Sequence, residues 1–168
     1  VKRKLRELAE ETGESAQFAV EEHGQAVVLY REVSHGGVYS RGRVGRRFYM
    51  HQTAAGKALL SQFSDQWVRE ILDQHGLPAS TPHTVDDGEA LFDELDEIRE
   101  RGIAFNDEES TEGLRAVGVP VAGPDGDVLG AFAVAGPTHR IEGDRFDNEI
   151  PDVIRSVVNE LELNLAYA

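Results

Sequence analysis

Cysteine is absent from this 168-residue chain. The chain therefore forms no disulfide, holds no metal through thiolates and has no cysteine nucleophile. Lysine is scarce: Lys2, Lys4 and Lys57 stand among 17 basic residues, and the other 14 are arginine. No apolar run approaches the roughly 20 residues needed to span a bilayer. The opening VKRKLRELAEETG is broken by charge throughout, unlike a signal peptide, so a cytoplasmic location is expected. The six histidines, at 23, 35, 51, 75, 83 and 139, show no ligand spacing of the H-E-x-x-H kind, and no metal is expected. A nucleophile motif and a cofactor fingerprint are equally missing, which argues against an enzyme and for no cofactor.

What is present in excess is acid. The formal net charge is −14, and DNA binding depends on neutralising phosphates, so this domain itself is repelled by nucleic acid. Acid excess with few lysines suits a protein that stays soluble in concentrated salt, where repulsion is screened; a halophilic source is expected. The composition, 40% hydrophobic and 29% charged, is that of a globular domain, and the length fits one. The first residue is Val1, and the chain opens directly into a helical pattern. That start hints at an excised fragment whose missing piece lies upstream.

Leu5, Leu8 and Ala9 recur at helical spacing over residues 2–12, with Gly13 as the stop. Ala16, Phe18 and Val20 alternate with Ser15, Gln17 and Glu21, as in a half-buried strand. Glu22-His23-Gly24 turns into a second strand, residues 25–33, with Val27, Leu29 and Arg31 on one face. Gly36-Gly37 interrupts, VYSR reads as a short strand, and an arginine-rich loop leads to FYM at 48–50. Thr53 caps the helix of TAAGKALLSQF and Ser64 caps SDQWVREILDQHG, whose stripe is Trp67, Val68, Ile71 and Leu72. A polar loop holding Pro78 and Pro82 precedes DDGEALFDELDEIRERG, where Leu91, Phe92, Leu95 and Ile98 repeat and Gly102 ends the helix. IAFNDEE, GLRAVGVPVA and VLGAFAVAG follow as strands, the last two joined by the turn Pro124-Asp125-Gly126. A final helix covers about 144–166, with Pro151 allowing a kink. Its stripe of Val153, Val157, Leu161 and Leu165 serves either its own sheet or a second subunit. The fold class is α/β in the α+β sense: an antiparallel sheet with helices on its faces.

The segments HQTAAGKALL, ELDEIRERGIAFNDEESTEGLRAVGVPV and PDGDVLGAFAVAGPTHRI, in this order and spacing, resemble the effector-binding domain of IclR-type transcriptional regulators. The resemblance runs over nearly the whole chain. It implies a GAF-like fold, with residues 1–13 as a linker helix towards a missing winged helix-turn-helix domain and residues 14–168 as the effector domain. It also implies a small-molecule effector, often an organic or aromatic acid, a homodimer or tetramer, and contact with DNA only through the absent domain. Carried over residue by residue, it places Phe48, Ala54, Ala55, Asn106, Leu114, Ala133 and Ala135 around a ligand cavity. Ala133 and Ala135 stand where some acid-binding members have hydroxyls, and Asn106 where some have an acidic residue. A more apolar pocket follows, favouring a larger aromatic or aliphatic ligand over a small acid such as glyoxylate.

The residues support a pocket without the resemblance. The small-residue helix start Thr53-Ala54-Ala55-Gly56, the strand end Asn106-Asp107-Glu108-Glu109 and the GAFAVAG strand should meet at one end of the sheet. A helix N-terminus offers amides to a carboxylate, and small side chains leave room. Ala133 and Ala135 fit a cavity wall or a tightly packed sheet equally well. Asp107, Glu108, Glu109 and Glu112 either bind a cation, supply acid–base chemistry, or are solvated and tie loops together. Arg41, Arg43, Arg46 and Arg47 either guide an anion or a subunit contact, or balance local acidity. Gly56-Lys57 lacks the spacing of a phosphate loop. His51 is either a ligand contact or a hydrogen-bonded structural histidine. An enzyme using Asp107 or Glu108 with His51, and a ligand-free dimerisation module, are the rival readings.

Overall fold

The computed structural model describes residues 1–34 and 43–168. Gly36-Gly37, the VYSR strand and Arg41 lie outside the described residues. The elements are α1 (Lys2–Thr12), β1 (Ser15–Glu22), β2 (Gln25–Val33), β3 (Arg47–Tyr49), a 3-10 turn at Met50–Gln52, α2 (Ala54–Ser61), α3 (Asp65–His75), α4 (Gly88–Arg101), β4 (Ala104–Asp107), β5 (Leu114–Ala122), β6 (Val128–Pro137), a π-type turn at Arg145–Glu149 and α5 (Ile150–Ala166). Among the described residues the six strands form one antiparallel sheet in the order β3-β2-β1-β6-β5-β4.

Local chemistry sets the helix ends where the sequence marks them. Gly13 and Gly102 take left-handed φ of 71° and 75° after α1 and α4, a conformation that costs glycine nothing. The side chains of Thr53, Ser64 and Asp87 accept from the amides of Gly56, Trp67 and Ala90, each satisfying a donor that has no intrahelical partner.

Both faces of the sheet are covered. On one face Phe18, Val117, Val119, Val121, Phe132 and Val134 meet α1 through Leu5 and Leu8 and α5 through Ile154, Val157 and Leu161. On the other, Ala19, Ala104, Ala131 and Ala133 lie under α2 and α4. β1 is thus not half-buried: Ala19 packs on one side while Ala16 and Phe18 pack on the other. The stripe of α5 faces its own sheet and α1, with Val153 and Leu165 packed at the cluster's margin. α1 is built into the same core, Leu5 and Leu8 being wholly buried.

One strand face departs from the alternation. Phe18 pairs with Tyr30 but Ala19 pairs with Val28, so Leu29 is the extra residue of a bulge. It turns outward, 39% exposed, while Val27 stays buried. Val27 and Leu29 therefore share no buried stripe.

α1 and α5 run antiparallel and are pinned at both ends. Lys4 bridges to Glu160 at 2.7 Å, and at the other end Arg145 donates to the Thr12 carbonyl at 2.5 Å and to Glu14 at 3.2 Å. Glu14, buried at the α1–β1 junction, also receives the Arg140 guanidinium.

Candidate functional site

The two sheet faces differ in side-chain size. Along β5 and β6, Val117, Val119, Val121, Phe132 and Val134 point to α1 and α5, while the face under α2 is mostly small, with Ala116, Gly118, Ala131, Ala133 and Ala135. A Cβ on Gly118 would lie 2.7 Å from the Ala54 carbonyl, and one on Gly56 only 2.3 Å from the Met50 carbonyl oxygen. Glycine at both positions lets the start of α2 press onto the sheet and onto the preceding turn.

Where α2 begins, the contact opens into a cavity of about 260 Å³. Thr53, Ala54 and Ala55 form one wall, and Gln17, Leu114, Ala116, Ala133 and Ala135 form the sheet side. Phe48 and Arg46 of the β3 region, Gln52, Asn106, Ser110, Thr111 and Ser80 complete the lining. All seven residues singled out from the sequence, Phe48, Ala54, Ala55, Asn106, Leu114, Ala133 and Ala135, border this one cavity. The helix start, the β4 end and the small-residue strand do meet.

Sequence reasoning named Thr53, Asn106 and Arg46 but missed the rest of the polar lining, and Ala116 with it. Gln17 sits directly across from Ala133, and Ala116 across from Ala135, so the strand register would have found both. Ser80, Ser110 and Thr111 come from loops without periodicity. They supply the hydroxyls that Ala133 and Ala135 lack, so the cavity is less apolar than those two positions imply.

The β4–β5 connection is fixed by hydrogen bonds. Asn106 Oδ1 accepts from the Glu109 amide at 2.8 Å, and its Nδ2 donates to Ser110 Oγ at 2.9 Å. Glu108, at φ 59°, accepts from the Gly113 amide at 2.8 Å. Thr81 donates to the Glu108 carbonyl at 2.6 Å, Thr84 to that of Glu109 at 2.5 Å and Ser80 to that of Ser110 at 2.7 Å. Asp107 pairs with Arg115 at 2.8 Å. The acidic run therefore ties loops together.

Beneath the loop lies Lys57, wholly buried. Its ammonium donates to Glu94 at 2.7 Å, Glu109 at 2.7 Å and the Phe105 carbonyl at 2.6 Å, which uses all three protons. Burial raises the Glu109 carboxyl above the usual carboxylate range, against the opposing pull of the Lys57 charge and hydrogen bond. His51 is buried and does not border the cavity; its Nε2 lies 2.8 Å from the Pro78 carbonyl, to which it donates. Burial lowers its pKa below that of an ordinary histidine, the Pro78 bond opposing and the Lys57 charge assisting.

Of the arginines, Arg47 bonds Glu22 at 2.6 Å, and Arg46 lies over the Phe48 ring at 4.9 Å on the cavity rim. Among the described residues the lining contains no Asp, Glu, His, Lys or Cys. These residues can hold and orient a molecule, and none of them is a carboxylate or an imidazole suited to general acid–base work. The described residues contain no cluster of three or more His, Asp or Glu suited to a metal, and none of their helices is long and apolar enough to cross a membrane.

A curled antiparallel sheet sheathed by helices, with a small cavity at one helix start, is a GAF-like α+β domain. The family model described as the C-terminal part of the bacterial transcriptional regulator IclR matches residues 1–161, and the chain belongs to that family. Similar curated proteins include a probable HTH-type transcriptional regulator, ArcR, of the halophile Halobacterium salinarum, 32% identical over 96% of this chain and 62% of its own length. The transcriptional repressor IclR of Escherichia coli is 32% identical over 97% of this chain and 59% of its own. The chain thus spans about three-fifths of these relatives, which are named as regulators or repressors and not as enzymes. Among solved structures, the C-terminal domain of E. coli KdgR is 28% identical with a TM-score of 0.86, covering 98% of this chain and 95% of that one. The inducer-binding domain of a PobR double mutant from Acinetobacter, in complex with 3-hydroxybenzoic acid, is 25% identical with a TM-score of 0.89, covering 96% and 94%.

Proposed function

We propose that this domain is the sensory part of a cytoplasmic, DNA-binding transcriptional regulator, and that its cavity takes a small organic acid with an apolar body. The observation that carries the reading is the cavity's composition. Small apolar side chains dominate the sheet side around Gln17, while the rest of the lining carries hydroxyls, side-chain amides and Ala54 and Ala55, whose first-turn N–H groups are not the one that Thr53 caps. A volume of about 260 Å³ falls below the roughly 300–1,000 Å³ of pockets for drug-sized molecules, and matches a ligand on the scale of one ring or a short chain with its carboxylate. The 3-hydroxybenzoic acid held by the PobR relative is of this class.

The ligand acts by binding one arrangement of subunits better than another. DNA is read by a segment that this acidic domain does not contain. α1, packed on the sheet and on α5, is the element placed to pass a shift along the chain.

Calorimetry and thermal shift against a panel of aromatic and aliphatic monocarboxylates test the reading. At least one compound should bind saturably and raise the melting temperature as mass action requires. Ala133→Phe, which fills the cavity from the sheet side, should reduce that affinity at least thirtyfold (about 2 kcal/mol). Equal stabilisation of both proteins by every binder would put the ligand elsewhere. Micromolar affinity for glyoxylate or pyruvate, with none for larger acids, would overturn the ligand class.

A further inference from the structure

Asn106 has only one orientation available. Its Oδ1 receives the Glu109 amide, so its Nδ2 must face Ser110 Oγ, 2.9 Å away. The Ser110 hydroxyl is thereby an acceptor from inside the protein, and its own proton is left for whatever occupies the cavity that Ser110 lines. This polarity depends on where the Glu109 backbone sits. The Glu109 side chain sets that position, since Oε1 takes the Lys57 ammonium at 2.7 Å while Oε2 accepts from the Asp107 amide at 3.0 Å. Lys57, at the second turn of α2, is itself held by Glu94 of α4 and the Phe105 carbonyl of β4.

We propose that Lys57, acting through Glu109 and Asn106, is a positioning residue that sets Ser110 as a hydrogen-bond donor into the cavity and so selects carboxylates over neutral analogues. The inference rests on the ligand-sensing reading above. A carboxylate accepts at both oxygens, whereas a primary amide accepts at one and presents N–H at the other; with a first-turn amide of Ala54 or Ala55 taking one acceptor and the Ser110 proton aimed at the second, the neutral analogue leaves an N–H facing a donor. Discrimination therefore arises from the direction of one hydroxyl, and that direction is imposed from beneath the loop. Glu109→Gln keeps size and shape but carries one donor face. Turned towards Lys57 or towards the Asp107 amide, it breaks one of the two bonds that hold the loop.

The test uses the domain with two probes, 3-hydroxybenzoate and 3-hydroxybenzamide. The wild type should prefer the carboxylate, and Ser110→Ala should shrink that preference about tenfold. Glu109→Gln should shrink it by a similar factor, and the double variant by no more than either single one, because both act on the same proton. Additive losses, or an unchanged preference in Glu109→Gln, would overturn the proposal. Lys57→Met leaves buried carboxylates without their cation, and Glu109→Gln serves where that variant does not fold. The free protein supplies an independent arm: the Asn106 side-chain amide and the Glu109 backbone amide should be protected from exchange in the wild type and lose protection in Glu109→Gln. Wild-type protein that binds neither probe counts against the sensing reading for this ligand class. The exchange data then decide the positioning alone, unchanged protection overturning it.

Discussion

His51 is a hydrogen-bonded structural histidine, the second of the two roles open to it. It directly precedes the helix start that borders the cavity, yet it points to the Pro78 carbonyl and fastens the 77–85 loop instead. Donation to a carbonyl needs a protonated Nε2, which the neutral ring supplies; a second proton would have to be carried in a buried place. With the folded pKa depressed, the unfolded chain takes up a proton that the native one refuses. Stability from this residue is therefore full above the unfolded value of about 6.5 and declines as pH falls below it. Glu109, raised by burial, acts in the opposite sense nearer pH 4.5. Urea unfolding at pH 7.5 and 5.5 should show the wild type losing stability at the lower pH, and His51→Gln losing less. An identical loss in the two proteins would assign the effect to other groups.

At the scale of elements, the close seating of α2 decides whether a cavity exists at all. Gly118 is the contact point: an added methyl would meet the Ala54 backbone at 2.7 Å, and neither a strand centre nor a helix first turn yields easily. Gly118→Ala is expected to lower stability by about 1–3 kcal/mol, as overpacking does, and to weaken ligand binding by moving the Ala54–Ala55 wall. A urea midpoint equal to that of the wild type would mean that the helix start shifts freely. Much of this arrangement was legible beforehand. Capping residues at 13, 53, 64 and 102 and the turn at 124–126 announce the elements, because caps and turns are local chemistry. The seven cavity residues were legible through the family likeness and through the rarity of large side chains along β6. What escaped is non-local. The bulge at Leu29 needs the pairing partner to reveal it, the burial of Lys57 needs three acceptors from α4, β4 and the following loop, and Ser80 reaches Ser110 across a loop with no pattern of its own.

For the whole molecule, the excess of acid is the governing quantity. A net charge of −14 on 168 residues repels itself most when salt is low, and screening at about 1 M shortens the reach of that repulsion to roughly 3 Å. The melting temperature should therefore rise between 0.1 and 2 M NaCl. A fall over that range would mean that exposed ion pairs such as Arg47–Glu22 contribute more than the repulsion removes. The buried groupings around Lys57 and Glu14 are shielded from solvent ions and should hold throughout. The pins between α1 and α5 carry a further geometric consequence. With Lys4 against Glu160 and Thr12 against Arg145, the beginning of α1 lies beside the last turns of α5. The two helices are thereby fastened as one lever, and a tilt of either carries the other with it.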